Sequence, residues 1–326
     1  MTRVSDLVDG ALEATVAPSF TRIGPLVRSR LDHWREVDTY DIAGRVIVIT
    51  GATSGLGMSA AATLAADGAT LVLVARNAAK ADDVRATLLR HGAPGGVEVV
   101  VAEMGDLESV RAAAATIAAR HDRIDVLVHN AGALDASYAV SPQGIEQTVA
   151  SQVVGPFLLT SLLLDRLRAA DAGRVLWVSS GGMYSQPLAV DQLEMGPDDY
   201  DGATAYARAK RAQVTLVEIW SERLRPDEIV MHAMHPGWAD TPGVRRSLPT
   251  FRRIVGPLLR SPAEGADTLV WLCADEGQPL AESGRFWLDR RPRPIHKMQR
   301  TRRADSQHER QRLWDWCVER SGVDPG

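Results

Sequence analysis

The sequence predicts an α/β fold built on one doubly wound parallel sheet, with helical extensions at both ends. Three observations point there. Short apolar runs alternate with alanine-rich stretches of helical length, and that rhythm lays strands side by side and parallel. The first run is apolar almost throughout rather than at every second residue, as a strand covered on both faces should be. A glycine-rich turn, Thr50-Gly51-Ala52-Thr53-Ser54-Gly55-Leu56-Gly57, joins this run to the first helix, where an open α/β sheet binds its ligand.

The alternation fills residues 42–288. Strands are expected at Val46–Thr50, Thr70–Ala75, Val97–Val101, Ile124–His129, Val175–Ser179, Ile229–Met234 and Gly284–Leu288. Helices are expected at Gly55–Asp67, Ala78–Arg90, Leu107–Arg120, Gly144–Arg168 and Ala203–Leu224. Right-handed crossovers then put helices on both faces and a ligand at the carboxyl edge. Two irregular stretches, Gly181–Gly202 and Gly237–Ser261, follow strands and so overhang that edge. Met183, Tyr184, Leu188, Trp238, Phe251 and Ile254 are their candidate apolar pocket lining.

Residues 1–41 form an N-terminal extension. Its apolar spacing, broken by Pro18 and Pro25, predicts two short amphipathic helices. They pack on the domain or on a partner subunit; a peripheral membrane contact through Arg22, Arg28, Arg30 and Arg35 is the alternative. Residues 289–326 are read as a basic tail and a closing helix over Ala304–Arg320. Between Arg285 and Arg303 eight Lys/Arg stand against one acid, Asp289. A solvated tail or a subunit contact is the expectation, ahead of an anionic ligand.

Length and charge bound the rest. A chain of 326 residues with 45 % hydrophobic residues buries a full core. The net charge of −4 provides no general pull toward nucleic acid. The two cysteines, Cys273 and Cys317, are far apart, which fits a reducing compartment. No run of about 20 apolar residues suggests a spanning helix, and the start Met1-Thr2-Arg3-Val4 lacks a signal-peptide layout. A cytoplasmic protein is expected.

The glycine turn predicts a dinucleotide site. Gly51 permits the tight turn, Gly55 and Gly57 allow close approach, and the helix N-terminus offers N–H donors to a pyrophosphate. Thr53, Ser54 and Leu56 belong to the same cradle. Arg76, ending the second strand in Ala75-Arg76-Asn77, stands where a carboxylate would bind a ribose hydroxyl. An arginine there favours a 2′-phosphate, so NADP(H) is expected over NAD(H). Asp106-Leu107 could meet the adenine, and Asn130-Ala131-Gly132 ends the fourth strand beside the cofactor.

About 150 residues after the turn comes Tyr206-Ala-Arg-Ala-Lys210. Residues four apart share a helix face, and an ammonium beside a phenol eases its deprotonation. Ser179-Ser180 ends the fifth strand and offers a hydroxyl to a carbonyl oxygen. No G-x-S-x-G elbow surrounds it, which disfavours acyl transfer. His232 and His235 have no third ligand nearby, so no metal is expected. The expected reaction interconverts a carbonyl and an alcohol on a small, apolar substrate. A redox sensor or scaffold that binds NADP(H) and does little chemistry is the alternative.

These residues resemble the short-chain dehydrogenase/reductase superfamily over Ile42–Leu288. The resemblance rests on Thr50–Gly57, Asp106, Asn130-Ala131-Gly132, Ser179-Ser180, Tyr206-x-x-x-Lys210 and Pro236-Gly237-x-x-x-Thr241. Val178–Met183, His235–Val244, Gly265–Thr268 and Ser283–Phe286 are similar to the branch of dehydrogenase/reductase family member twelve, near the retinol-dehydrogenase-like reductases. It implies a Rossmann-type fold and a homodimer or homotetramer. It implies Tyr206 as general acid/base, Lys210 as its modulator and ribose ligand, and Ser180 as the carbonyl anchor. Thr241, with Pro236-Gly237, would hold the carboxamide. Gln152 stands where the superfamily has an asparagine whose local kink turns a backbone carbonyl to a relay water.

Overall fold

The computed structural model describes residues 4–225 and 227–326; the first three residues of the expected extension lie outside them. Eight strands form one sheet: β1 (Val46–Thr50), β2 (Thr70–Ala75), β3 (Val97–Val101), β4 (Val126–His129), β5 (Gly173–Val178), β6 (Ile229–Met234), β7 (Arg285–Leu288) and β8 (Arg291–Arg293). Their order is β3-β2-β1-β4-β5-β6-β7-β8. All pairs are parallel except β7 with β8. The order reverses beside β1, and this switch point opens a crevice at the carboxyl ends of β1 and β4.

Alternate residues of each strand feed two apolar clusters, one per face. Val48, Val72 and Val74 join one; Ile47, Ile49, Leu71 and Leu73 join the other. The helices between strands cover both faces: α4 (Gly55–Ala66), α5 (Ala78–Arg90), α6 (Leu107–Arg120), α7 (Gln147–Val149), α8 (Gly155–Arg168) and α9 (Gly202–Arg223). A π turn, Ala150–Val154, joins α7 to α8. The combined span Gln147–Arg168 is long and apolar enough to cross a bilayer by length and composition, and 78 % of its apolar window is buried in the fold. Its apolarity is that of a core helix.

The stretch after β6 carries α10 (Pro242–Ser247) and α11 (Pro249–Val255), and α12 (Pro262–Ala274) returns to the core behind a Ser261–Glu264 capping box. A short α13 (Gln278–Ala281) precedes β7, and α14 (Gln299–Ala304) and α15 (Gln307–Ser321) end the chain. On α15, Leu313, Trp314 and Cys317 are buried, and Trp314 stands edge-on to Phe157 and Trp220.

The ends of the chain depart from expectation. Three helices, α1 (Val4–Thr15), α2 (Ala17–Phe20) and α3 (Ile23–Leu31), replace the expected two. Arg28 is 1 % exposed and pairs with Asp9 and Asp289, so it is not a lipid-facing cation. The basic stretch is no solvated tail. Arg290 pairs with Asp267, Arg291 with Asp32, and Arg293 with Asp9. Charge counted along the chain cannot register acids that folding brings from the other end.

Candidate active site

The cofactor cradle is built by backbone that only glycine adopts readily. Gly51 and Gly55 have φ of 69° and 57°. A Cβ on Gly51 would come within 2.7 Å of Ala131 Cα, and one on Gly57 would run into the Asn130 amide. Thr50 and Asn130 tie the turn to β4. Thr50 Oγ1 accepts the N–H groups of Asn130 and Ala131 at 3.0 Å. Asn130 Nδ2 donates to the carbonyls of Thr50 and Gly51 at 3.0 Å. Asn130 therefore braces the turn through its side chain. Ser54 caps α4 by backbone alone, and its hydroxyl makes no cap hydrogen bond. With Thr53 and the half-buried Leu56 it opens the helix where an anion is favoured.

Arg76 emerges at the carboxyl end of β2 with its side chain 76 % exposed, its Nη1 3.8 Å from Glu103. Register explains the neighbour: Ala75 pairs with Val101, so the residues just beyond both strands meet. Asp106 and Leu107 sit farther along. Asp106 caps α6 and accepts from Glu108 N and Gln143 Nε2. Leu107 is packed in the core, and its N–H is taken by Gln143 Oε1. Glu103 was missed by sequence reasoning; its place two residues past β3 was the available signal.

The candidate catalytic groups meet at the carboxyl ends of β4 and β5. Ser179 Oγ donates to the Lys210 carbonyl at 3.0 Å, a buried link that fixes α9 to β5. Ser180 Oγ accepts from Gly182 N at 3.2 Å and lies near enough to the Tyr206 phenol to lower its pKa. Lys210 is 2 % exposed and donates from Nζ to the Val178 carbonyl at 3.0 Å. Its Nζ stands 5.2 Å from the Tyr206 ring centroid.

The electrostatics correct one expectation. Burial raises the Tyr206 pKa to about 12, against a smaller lowering by the Ser180 hydroxyl. Burial lowers Lys210 to about 7. Loss of hydration penalises both charged forms, the phenolate and the ammonium.

Gln152 lies in the π turn. Its Nε2 donates to the Ala133 carbonyl at 2.6 Å. Its own carbonyl accepts from Gln213 Nε2 at 2.7 Å, the atom expected to face a relay water. A Cβ on Gly132 would lie 3.0 Å from Gln152 Oε1 and 3.3 Å from Lys210 Nζ, so the missing side chain keeps this corner open.

Thr241 caps α10 and stands against the glycine turn, its Cβ 3.3 Å from where a Cβ on Gly55 would be. Gly237, after Pro236, has φ 72° and leaves its side-chain space to the Arg260 guanidinium. Of the expected pocket lining, Met183, Tyr184 and Leu188 belong to the core instead, and Tyr184 OH donates to the Pro294 carbonyl. Trp238 and Phe251 remain half-buried and pack edge-on at 5.1 Å; Ile254 is 75 % exposed. His232 is held by the Pro279 carbonyl and by Trp287 Nε1, and His235 Nδ1 accepts from Gly237 N.

The family model for short chain dehydrogenase matches residues 45–250. This chain is a short-chain dehydrogenase. Among its relatives is human dehydrogenase/reductase SDR family member 12, 36 % identical over 78 % of this chain and 80 % of that protein. Bovine retinol dehydrogenase 12 is 30 % identical over 86 % of this chain and 87 % of its own. A solved short chain dehydrogenase from Escherichia coli, complexed with NADPH, superposes with a TM-score of 0.63 at 24 % identity, covering 77 % of this chain and 99 % of that one. The family makes the protein an oxidoreductase that acts on CH–OH or C=O groups through a nicotinamide cofactor.

Proposed function

We propose that this short-chain dehydrogenase reduces a carbonyl group on an apolar substrate with NADPH, Tyr206 giving the proton. The observation that carries the reading is the meeting of Ser180, Tyr206 and Lys210 at one sheet edge, beside a glycine turn whose backbone is packed against Asn130 and Ala131 with no side chains of its own glycines between. When bound, the nicotinamide supplies hydride to the carbonyl carbon. The Ser180 and Tyr206 hydroxyls polarise the oxygen, and Tyr206 passes its proton to the developing alkoxide. A phenol raised to about 12 is protonated at neutral pH, which suits the donor role and the reductive direction. Lys210, near its own titration point, would hold the nicotinamide ribose and would stabilise the phenolate that remains. The half-buried Trp238 and Phe251 favour an apolar substrate.

Arg76 supports NADP(H) over NAD(H): its guanidinium is exposed and only loosely paired, so it can take a 2′-phosphate in bidentate fashion. Glu103 partly balances it and would exclude no phosphate, since the pair is 3.8 Å apart and exposed. NADPH deuterated at C4, incubated with a panel of aldehydes and ketones, should place deuterium on the carbinol carbon of at least one product. NADPH should bind at least tenfold more tightly than NADH, and Arg76→Ala should remove the difference. Equal affinities in the wild type would contradict the cofactor assignment.

A further inference from the structure

The N-terminal segment reaches the candidate site. Phe20, at the end of α2, is 5 % exposed. Its ring stands edge-on to His235, centroids 4.4 Å apart, and to Trp238 at 5.7 Å. A Cβ on Gly181, the residue after Ser180, would come within 2.8 Å of Phe20 Cε2 and 2.9 Å of His235 Nε2. The ring is thus wedged beneath the turn that carries the serine hydroxyl. The backbone of the same segment grips the loop that carries Thr241. Trp238 N donates to the Phe20 carbonyl at 2.7 Å. Arg260 donates from Nε to the Phe20 and Thr21 carbonyls at 3.1 and 3.2 Å, and from Nη2 to the Ser19 carbonyl at 2.7 Å. Trp238 and Arg260 close the stem of that loop, because Arg260 N donates to the Trp238 carbonyl at 2.8 Å.

We propose that the segment Ala17–Thr21 is a working part of the substrate site: Phe20 is a positioning residue that sets the Ser180–Gly181 turn and the Trp238 stem relative to Tyr206. The catalytic part of this inference rests on the reductase reading; the positioning part does not. A close-packed wedge transmits displacement because interiors do not compress. A shift of about 1 Å in a polarising hydroxyl is enough to cost on the order of a hundredfold in rate. Two loops from different strands must agree on one substrate position, and this ring touches both.

Hydrogen exchange on the cofactor-free protein tests the positioning directly. In Phe20→Ala, peptides covering residues 180–186 and 236–242 should exchange at least tenfold faster than in the wild type, while those of β1 and β4 keep their rates. Phe20→Leu, which keeps apolar volume, should fall between and reads the same effect if the alanine variant does not fold. Wild-type rates at both loops in a folded variant would overturn the proposal. The catalytic arm uses NADPH with n-alkanals from butanal to decanal. Phe20→Ala should lose at least tenfold in kcat/KM with its NADPH Kd within twofold of wild type, and Phe20→Leu should recover most of the loss. Fast exchange with no alkanal reduced by the wild type would uphold the positioning and count against the reductase reading. Unchanged exchange with active wild type would do the reverse.

Discussion

Lys210 holds its ammonium in the interior with one protein hydrogen bond, to the Val178 carbonyl. Burial lowers its pKa from 10.5 to about 7. The unfolded chain therefore binds a proton that the folded chain does not between pH 7 and 10.5, and stability rises with pH across that window. The cost of the buried ammonium is on the order of a few kcal/mol below pH 7. Lys210→Met should raise the melting temperature of the cofactor-free protein at pH 6, and the wild type should close the gap as pH climbs toward 10. A gap that is constant with pH would refute the shift. This residue's place four after Tyr206 was legible, because helical spacing alone puts the two on one face. Its pKa was not, because burial comes from β5 and α9 closing over it. The same limit hid Glu103, and it hid that Asp106, the acid expected near an adenine, also caps α6 through one carboxylate oxygen.

At the scale of elements, the junction between the chain's two ends is an ion cluster with almost no solvent. Asp289 receives both Arg28 and Arg260, and all three side chains are 1 % exposed. Asp289 and Arg290 form the two-residue turn between β7 and β8 with φ of 54° and 53°. Such hairpin turns favour Asn-Gly, so the ion pairs of Asp289 and of Arg290 with Asp267 hold a conformation that neither residue prefers. Asp289→Ala takes the carboxylate from the buried Arg260 guanidinium and leaves Arg28 to Asp9 and Glu13 alone, and it should cost about 3–5 kcal/mol in urea unfolding. It should also speed tryptic cleavage after Arg22 and Arg30. A loss within about 0.5 kcal/mol, the range of a surface change, would show the cluster to be dispensable. Seven strands and the helices between the first six were legible from apolar runs and alanine-rich stretches; between β6 and β7 the expected irregular stretch holds α10 and α11, and the buried α12 was not foreseen. Strand β8 was not, because Arg291-Pro292-Arg293 has neither apolar character nor a free donor at its proline, and only pairing with β7 defines it.

Over the whole molecule, three histidines are buried as neutral rings. Burial lowers His129 and His235 to about 3 and His232 to about 4. Each must take up a proton on unfolding once the pH drops below about 6.5, the ordinary value for the exposed side chain. Stability contributed by the neutral rings is complete above that pH and is lost as pH falls toward the folded values. Glu146 and Glu218, whose pKa values burial raises, offset part of this. The unfolding free energy should fall between pH 6.5 and 5 with a slope approaching three protons, about 4 kcal/mol per pH unit before that offset. A flat profile over this range would contradict the burial of the rings.

The central claim is that Tyr206 gives the proton in an NADPH-dependent reduction. The direct measurement is NADPH oxidation by wild type and Tyr206→Phe against one panel of aldehydes and ketones, at saturating cofactor. Tyr206→Phe should bind NADPH as the wild type does and lose roughly a thousandfold or more in turnover on every carbonyl the wild type reduces, the scale of a lost general acid. Turnover within a few fold of wild type in that variant would contradict it.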